Sequence, residues 1–181
     1  RRFEPLVQNY FEQYLGQFPA QVFDKINENF IRCSFFELCS RYLSSCYTFA
    51  IEQNNSAGRS DFEMTGIPGT DYYKDDRLAE FKYFKAKEAE RMLALSDPRP
   101  EDVAQVLAYA KDTKVKFPHY HVRSYIVYIC ANKGWKCWEV IRDIIPIALL
   151  IVLCGANDVP CYWHILNMGS GTSKNSLVNQ S

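Results

Sequence analysis

Six cations fall between residues 103 and 138, namely Lys111, Lys114, Lys116, Arg123, Lys133 and Lys136, with Asp112 as the sole acid among them. His119 and His121 sit in the same stretch and add charge at lower pH. Aromatic residues interleave with the cations: Phe117, Tyr120, Tyr125, Tyr128, Trp135 and Trp138. Cations attract phosphates in a salt-sensitive way, and aromatic faces stack on unpaired bases. The pattern predicts a nucleic-acid-binding stretch formed by Lys111, Lys114, Lys116, His119, His121, Arg123, Lys133 and Lys136, with single-stranded RNA or another nucleic acid as partner.

Other chemistry finds less support in residue spacing. No Gly-x-Ser-x-Gly, His-Glu-x-x-His or Gly-Lys-Ser/Thr phosphate loop occurs. Cys161 and His164 are three apart, but a nucleophile needs a base in space, not in sequence. His119-x-His121 is too sparse for a metal site. Asp75, Asp76 and Glu80, and Glu88 with Glu90, lie among Lys82, Lys85, Lys87 and Arg91. That mixture reads as a solvated helix face with local ion pairs. The expectation is therefore a protein without catalytic residues, metal or cofactor.

The seven cysteines are odd in number and include no C-x-x-C pair. They read as reduced, buried thiols in an intracellular, cytoplasmic protein. Formal net charge is zero, from 21 basic and 21 acidic residues, which disfavours a globally basic nucleic-acid binder. The most apolar run, Ile144 to Cys154, is too short for a bilayer, which needs about 20 residues.

The elements that would position these residues read as helical. Phe3, Leu6, Val7, Tyr10, Phe11, Tyr14, Leu15 and Phe18 follow one helical face, and a second stripe runs over residues 19–52. Residues 53–70 break every periodicity and read as a long loop, in which Arg59 could contact a neighbouring subunit. A helix over residues 71–95, the proline-rich break 97–100 and a helix from Glu101 follow. Val122, Tyr125, Ile126, Ile129 and Cys130 define another helix. A strand at Ile126–Ile129 is the alternative, since β-branched and aromatic residues cluster there. The run around Ile144 reads as a core helix, and Asp158 to Leu166 as a short last one. The Gly134-Trp135 junction, with the apolar helix after it, resembles helix–turn–helix and Bcl-2-like bundles over a few residues.

The sum is an all-α domain over residues 1–168, a bundle of about seven helices, with a flexible tail over 169–181. Its expected function is non-enzymatic: self-association as a homo-oligomer and nucleic-acid binding, with a nucleocapsid-like architecture. The alternative is an adaptor whose hydrophobic groove takes an amphipathic helix.

Overall fold

The computed structural model describes residues 3–55 and 58–141. It is not all-α: a five-stranded mixed sheet, in the order β1-β2-β3-β4-β5, divides two helical layers. The strands are β1 (Tyr47–Asn55), β2 (Gly58–Gly66), β3 (Asp75–Phe84), β4 (His121–Cys130) and β5 (Gly134–Ile141). Neighbours are antiparallel except β3 and β4, which run parallel. The parallel pair requires a crossover, supplied by α3 (Ala86–Leu93) and α4 (Pro100–Lys116). Two further α-helices precede the sheet, α1 (Glu4–Asn9) and α2 (Glu28–Leu43), separated by π and 3-10 turns.

The strands form because their side chains alternate between two buried faces. Phe62 and Met64 on β2, Ala79 and Phe81 on β3, and Tyr125, Val127 and Ile129 on β4 join the core under α1 and α2. Leu78, Phe84, Val122, Ile126, Tyr128 and Cys130 turn the other way, toward α3 and α4. A strand buried on both faces reads as an unbroken apolar run, so its period of two disappears from the sequence. That is why residues 71–95 and 122–134 read as helices. The supposed loop 53–70 in fact contains the end of β1 and the whole of β2, with Asn54 opposite Arg59 and Gln53 opposite Ser60. The Gly134-Trp135 junction opens β5, where Trp135 pairs with Ile129. The β4–β5 turn places Ala131 at φ 46°, so the hairpin carries no Asn-Gly signal. The expected core helix around Ile144, the last helix to Leu166 and the tail lie outside the described residues.

Helix α4 is anchored at its start by a buried polar network. Asp102, 2% exposed, takes two hydrogen bonds from the Arg99 guanidinium, at 2.9 and 3.1 Å, and a third from the Tyr128 hydroxyl. Tyr128 Oη in turn accepts from Arg99 N at 3.0 Å. Removing the carboxylate strands a buried hydroxyl and leaves a partly exposed guanidinium without its partner. Asp102→Ala should cost about 2 kcal/mol. A drop of about 5 °C in melting temperature, followed by circular dichroism, is the expected reading; a melt within 1 °C of the parent would contradict it.

Candidate active site

Antiparallel β2 and β3 are paired in register from Thr65↔Asp76 to Phe62↔Ala79, and then part. Beyond that point, the N–H groups on the freed edge of β3 bond to carboxylates. Phe81 N donates to Asp61 Oδ2 at 2.9 Å, and Tyr83 N donates to Glu28 Oε2 at 3.4 Å. Asp61 stands one residue past the last ladder pair, on β2, and Glu28 opens α2. Helix α2 is capped by Asn27, whose side chain accepts from Phe30 N at 3.0 Å. Its start is tied to β3 by Lys85 Nζ, bound to the carbonyls of Asp24 and Ile26 at 2.6 and 2.9 Å.

Continued by one pair, the β2–β3 register sets Glu80 opposite Asp61. Glu80 is 1% exposed, and its Oε1 accepts from Lys82 Nζ at 2.7 Å. Lys82 follows two residues later on the same face of the strand and also lies 3.9 Å from Glu28 Oε1. Arg32, one turn along α2 from Glu28, approaches Asp61 Oδ1 at 2.5 Å and Glu52 Oε1 at 2.7 Å. Four carboxylates, Glu28, Glu52, Asp61 and Glu80, and two cations, Arg32 and Lys82, thus meet where the sheet forks. Tyr109 of α4, held by Gln105 Nε2 at 2.9 Å, feels the charges of Glu80, Asp61 and Lys82.

Burial, reinforced by the Asp61 carboxylate, pushes the Glu80 carboxyl up to about 7. Burial also raises Glu28, against the pull of Lys82. Burial works against the Lys82 ammonium, but its hydrogen bond to Glu80 and the surrounding acids hold it above the ordinary lysine value. Four residues before Glu80 on β3, Asp76 is wholly buried and is likewise pushed up to about 7, by burial and by Glu63. A carboxyl raised in the fold favours the folded state while protonated. That stability is full below the ordinary carboxyl pKa and is lost as pH climbs through about 7. Without divalent cations the protein should therefore melt at a lower temperature at pH 8 than at pH 5. In Glu80→Gln the difference should shrink; an unchanged pH profile would refute the assignment.

A hard divalent cation fits this donor set. Glu80 Oε2 is buried with no hydrogen-bond partner, and the nearby Asp61 carboxylate, itself paired with Arg32, adds negative charge that a cation would offset. Among the described residues no three His, Cys, Asp or Glu side chains converge as a ready-made cage. Two carboxylates suffice for Mg²⁺, which keeps several of its waters.

The expected nucleic-acid residues do not form one strip. Lys111, Lys116, His119 and His121 are exposed near the end of α4 and the head of β4. Lys114 there donates to the Tyr120 carbonyl at 2.5 Å, and Arg123 lies 3.8 Å from Asp75. Lys133 and Lys136 lie at the far end of β4, about 30 Å away at the rise of a strand. Lys136 donates to the Leu95 carbonyl at 2.8 Å. Tyr125 and Tyr128 are core. Arg59 stands near the head of β2 in the hairpin. Cys161 and His164 lie outside the described residues. Cys39 and Cys130 are buried free thiols, pushed up by that burial to about 12 and about 11.

Spacing alone does not single out Glu28, Asp61, Glu80 and Lys82, and the solvated helix face expected for Glu80 and Lys82 is in the structure a buried strand. The available signal was an acid and a lysine at i and i+2, the spacing of one strand face. Asp112-Thr113-Lys114 has the same spacing, but it lies on α4, where i and i+2 diverge.

The family described as the PD-(D/E)XK nuclease superfamily matches residues 26–139, well over half the chain. The chain belongs to the PD-(D/E)XK nuclease superfamily. Within the matched span, Glu80-Phe81-Lys82 fits the (D/E)XK of that description, and Asp61 follows Ser60 where the description has Asp after Pro. Ser60 is paired opposite Gln53 in the β1–β2 ladder, so the departure alters no acidic group. No curated protein matches the chain. Among solved structures, one titled "Crystal structure of SSO0001" is similar, at 13% identity and a TM-score of 0.40, over 86% of this chain and 73% of that one.

Membership of a nuclease family overturns the expectation of a non-enzymatic, nucleocapsid-like protein, and with it the adaptor alternative. It points to enzymatic activity, and it agrees with nucleic acid as the class of partner. Self-association gains no support from it. Among the described residues no helix is long and apolar enough to cross a membrane.

Proposed function

We propose that the protein hydrolyses phosphodiester bonds of nucleic acid at Asp61, Glu80 and Lys82, dependent on a divalent cation. The single observation that carries this is the fork of β2 and β3. It brings Asp61 opposite Glu80 and hangs Lys82 on the same face.

Two facing carboxylates would repel a phosphodiester anion. A cation held by Asp61 and Glu80 would reverse that field, polarise the phosphoryl oxygens and lower the pKa of bound water. Lys82, kept as an ammonium, is suited to donate a hydrogen bond to a phosphoryl oxygen or to orient the attacking water, rather than to accept a proton. Glu28, whose carboxyl is raised and partly exposed, can take the proton the water gives up. Oxygen adds to phosphorus, one ester bond breaks, and the departing oxygen leaves as a hydroxyl after protonation from solvent. Lys111, Lys114, Lys116, His119, His121 and Arg123, at the end of α4 and the head of β4, would hold phosphates flanking the cleaved bond.

The test is cleavage of labelled DNA and RNA by the full chain in Mg²⁺ and in EDTA. Shortened products in Mg²⁺ and none in EDTA are expected. Equal cleavage in both would overturn the cation dependence, and intact substrate under every divalent cation tried would overturn the activity.

A further inference from the structure

Beside the fork, the face of β2 that carries Asp61 continues to Glu63 and Thr65. There it meets a cavity of about 240 Å³, bounded by Thr48 and Ala50 of β1 and by Lys116 and Phe117 at the end of α4. We propose that this cavity takes one unpaired guanine, next to the phosphate cleaved at Asp61 and Glu80. The inference rests on the nuclease reading above and names the nucleotide that reading would prefer.

Four observations support it. Glu63 lies two residues from Asp61, about 7 Å along the strand, within reach of the adjoining nucleotide. The cavity is smaller than a drug-sized pocket of about 300–1,000 Å³, a size that suits a single base. Phe117 on its wall is 41% exposed, an unusual placement for a large apolar ring and a ready stacking surface. Glu63 brings two carboxyl oxygens to the lining, and Lys116 is among the residues that bound the same cavity. Guanine is the base whose Watson–Crick edge offers two adjacent N–H donors, N1 and N2, to one carboxylate. That edge is free only when the base is unpaired. Adenine and cytosine each offer an amino group beside an acceptor, which a carboxylate oxygen would repel.

The experiment separates binding from cleavage. Full-length Glu80→Gln, taken as a non-cleaving background, is titrated by fluorescence anisotropy against short single strands differing at one position. That position carries guanine, adenine, cytosine or hypoxanthine, in deoxy and ribo series. Guanine should bind about tenfold more tightly than adenine or cytosine, with hypoxanthine, which lacks the 2-amino group, falling in between. Adding Glu63→Gln should bring guanine down to the level of adenine, and adding Phe117→Ala should weaken all four. Equal binding of the four bases would overturn the inference without needing any further variant, as would a guanine preference that survives Glu63→Gln. Cleavage by the parent chain is followed in parallel. Cleavage with no base preference would sink the pocket and leave the nuclease standing, and guanine preference without cleavage would do the reverse.

Discussion

Glu80→Gln should lower Mg²⁺-dependent cleavage at least about 1,000-fold while raising the melting temperature at pH 8. The loss follows from removing one of two carboxylates that face each other and would share the cation. The gain follows because a buried acid pushed up to about 7 is held in the fold at a cost once ionised, and an amide of the same shape has no charge to desolvate. The opposite signs matter, since a misfolded variant would lose both activity and stability. Lys82→Ala should lose about 100- to 1,000-fold, the scale of removing one oriented donor from a developing charge. Gel assays of a labelled strand and thermal melts would settle both. Glu80→Gln retaining more than a tenth of parental activity would remove Glu80 from the chemistry.

Gly66→Ala should be among the most damaging single changes to the fold, at about 3–5 kcal/mol. Gly66 ends β2, paired opposite Tyr47. A methyl there would stand 1.7 Å from the Tyr72 carbonyl oxygen and 2.4 Å from its carbon. Both are backbone atoms, so no rotamer change relieves the overlap. The whole turn over residues 67–74 would have to move, and that turn fixes where β3 begins and thus which residues face β2. The melting temperature should fall by about 10 °C. Gly69→Ala in the same turn is the control: its φ of +87° is strained for alanine, but nothing lies within 4 Å, so only about 1 kcal/mol should be lost. Equal melting of Gly66→Ala and the parent would show that the turn yields.

The parts of the fold that were legible in the sequence are those whose burial is one-sided. The stripe from Phe3 to Phe18 does form helical turns, and Pro100 with Glu101 and Asp102 does open α4. The sheet was not legible because β3 and β4 are covered on both faces. Leu78 with Phe81, and Ile126 with Ile129, then mimic a helical period as readily as a strand. The β4–β5 turn hides for another reason: Ala131, a residue with no turn signature, takes the positive φ. At the site, Glu80 and Lys82 were visible as a charged pair, but their neighbours Asp75, Asp76, Lys85 and Lys87 made them look like ordinary surface. What distinguishes them is Asp61, about 20 residues upstream and beside them only once β2 and β3 pair. Nothing local in the sequence carries that proximity.

The parting of β2 from β3 also divides the acids into two kinds. Asp61 and Glu28 stand in for missing strand neighbours by accepting main-chain protons, so each serves architecture and chemistry together. Glu80 Oε2 carries no such duty. A kinetic defect at Asp61 or Glu28 will therefore mix a frayed edge with a lost ligand. Glu80 takes its hydrogen bond from the Lys82 side chain rather than from the main chain, so it gives the cleaner measure of turnover, and a directed search for altered metal preference should vary that position first.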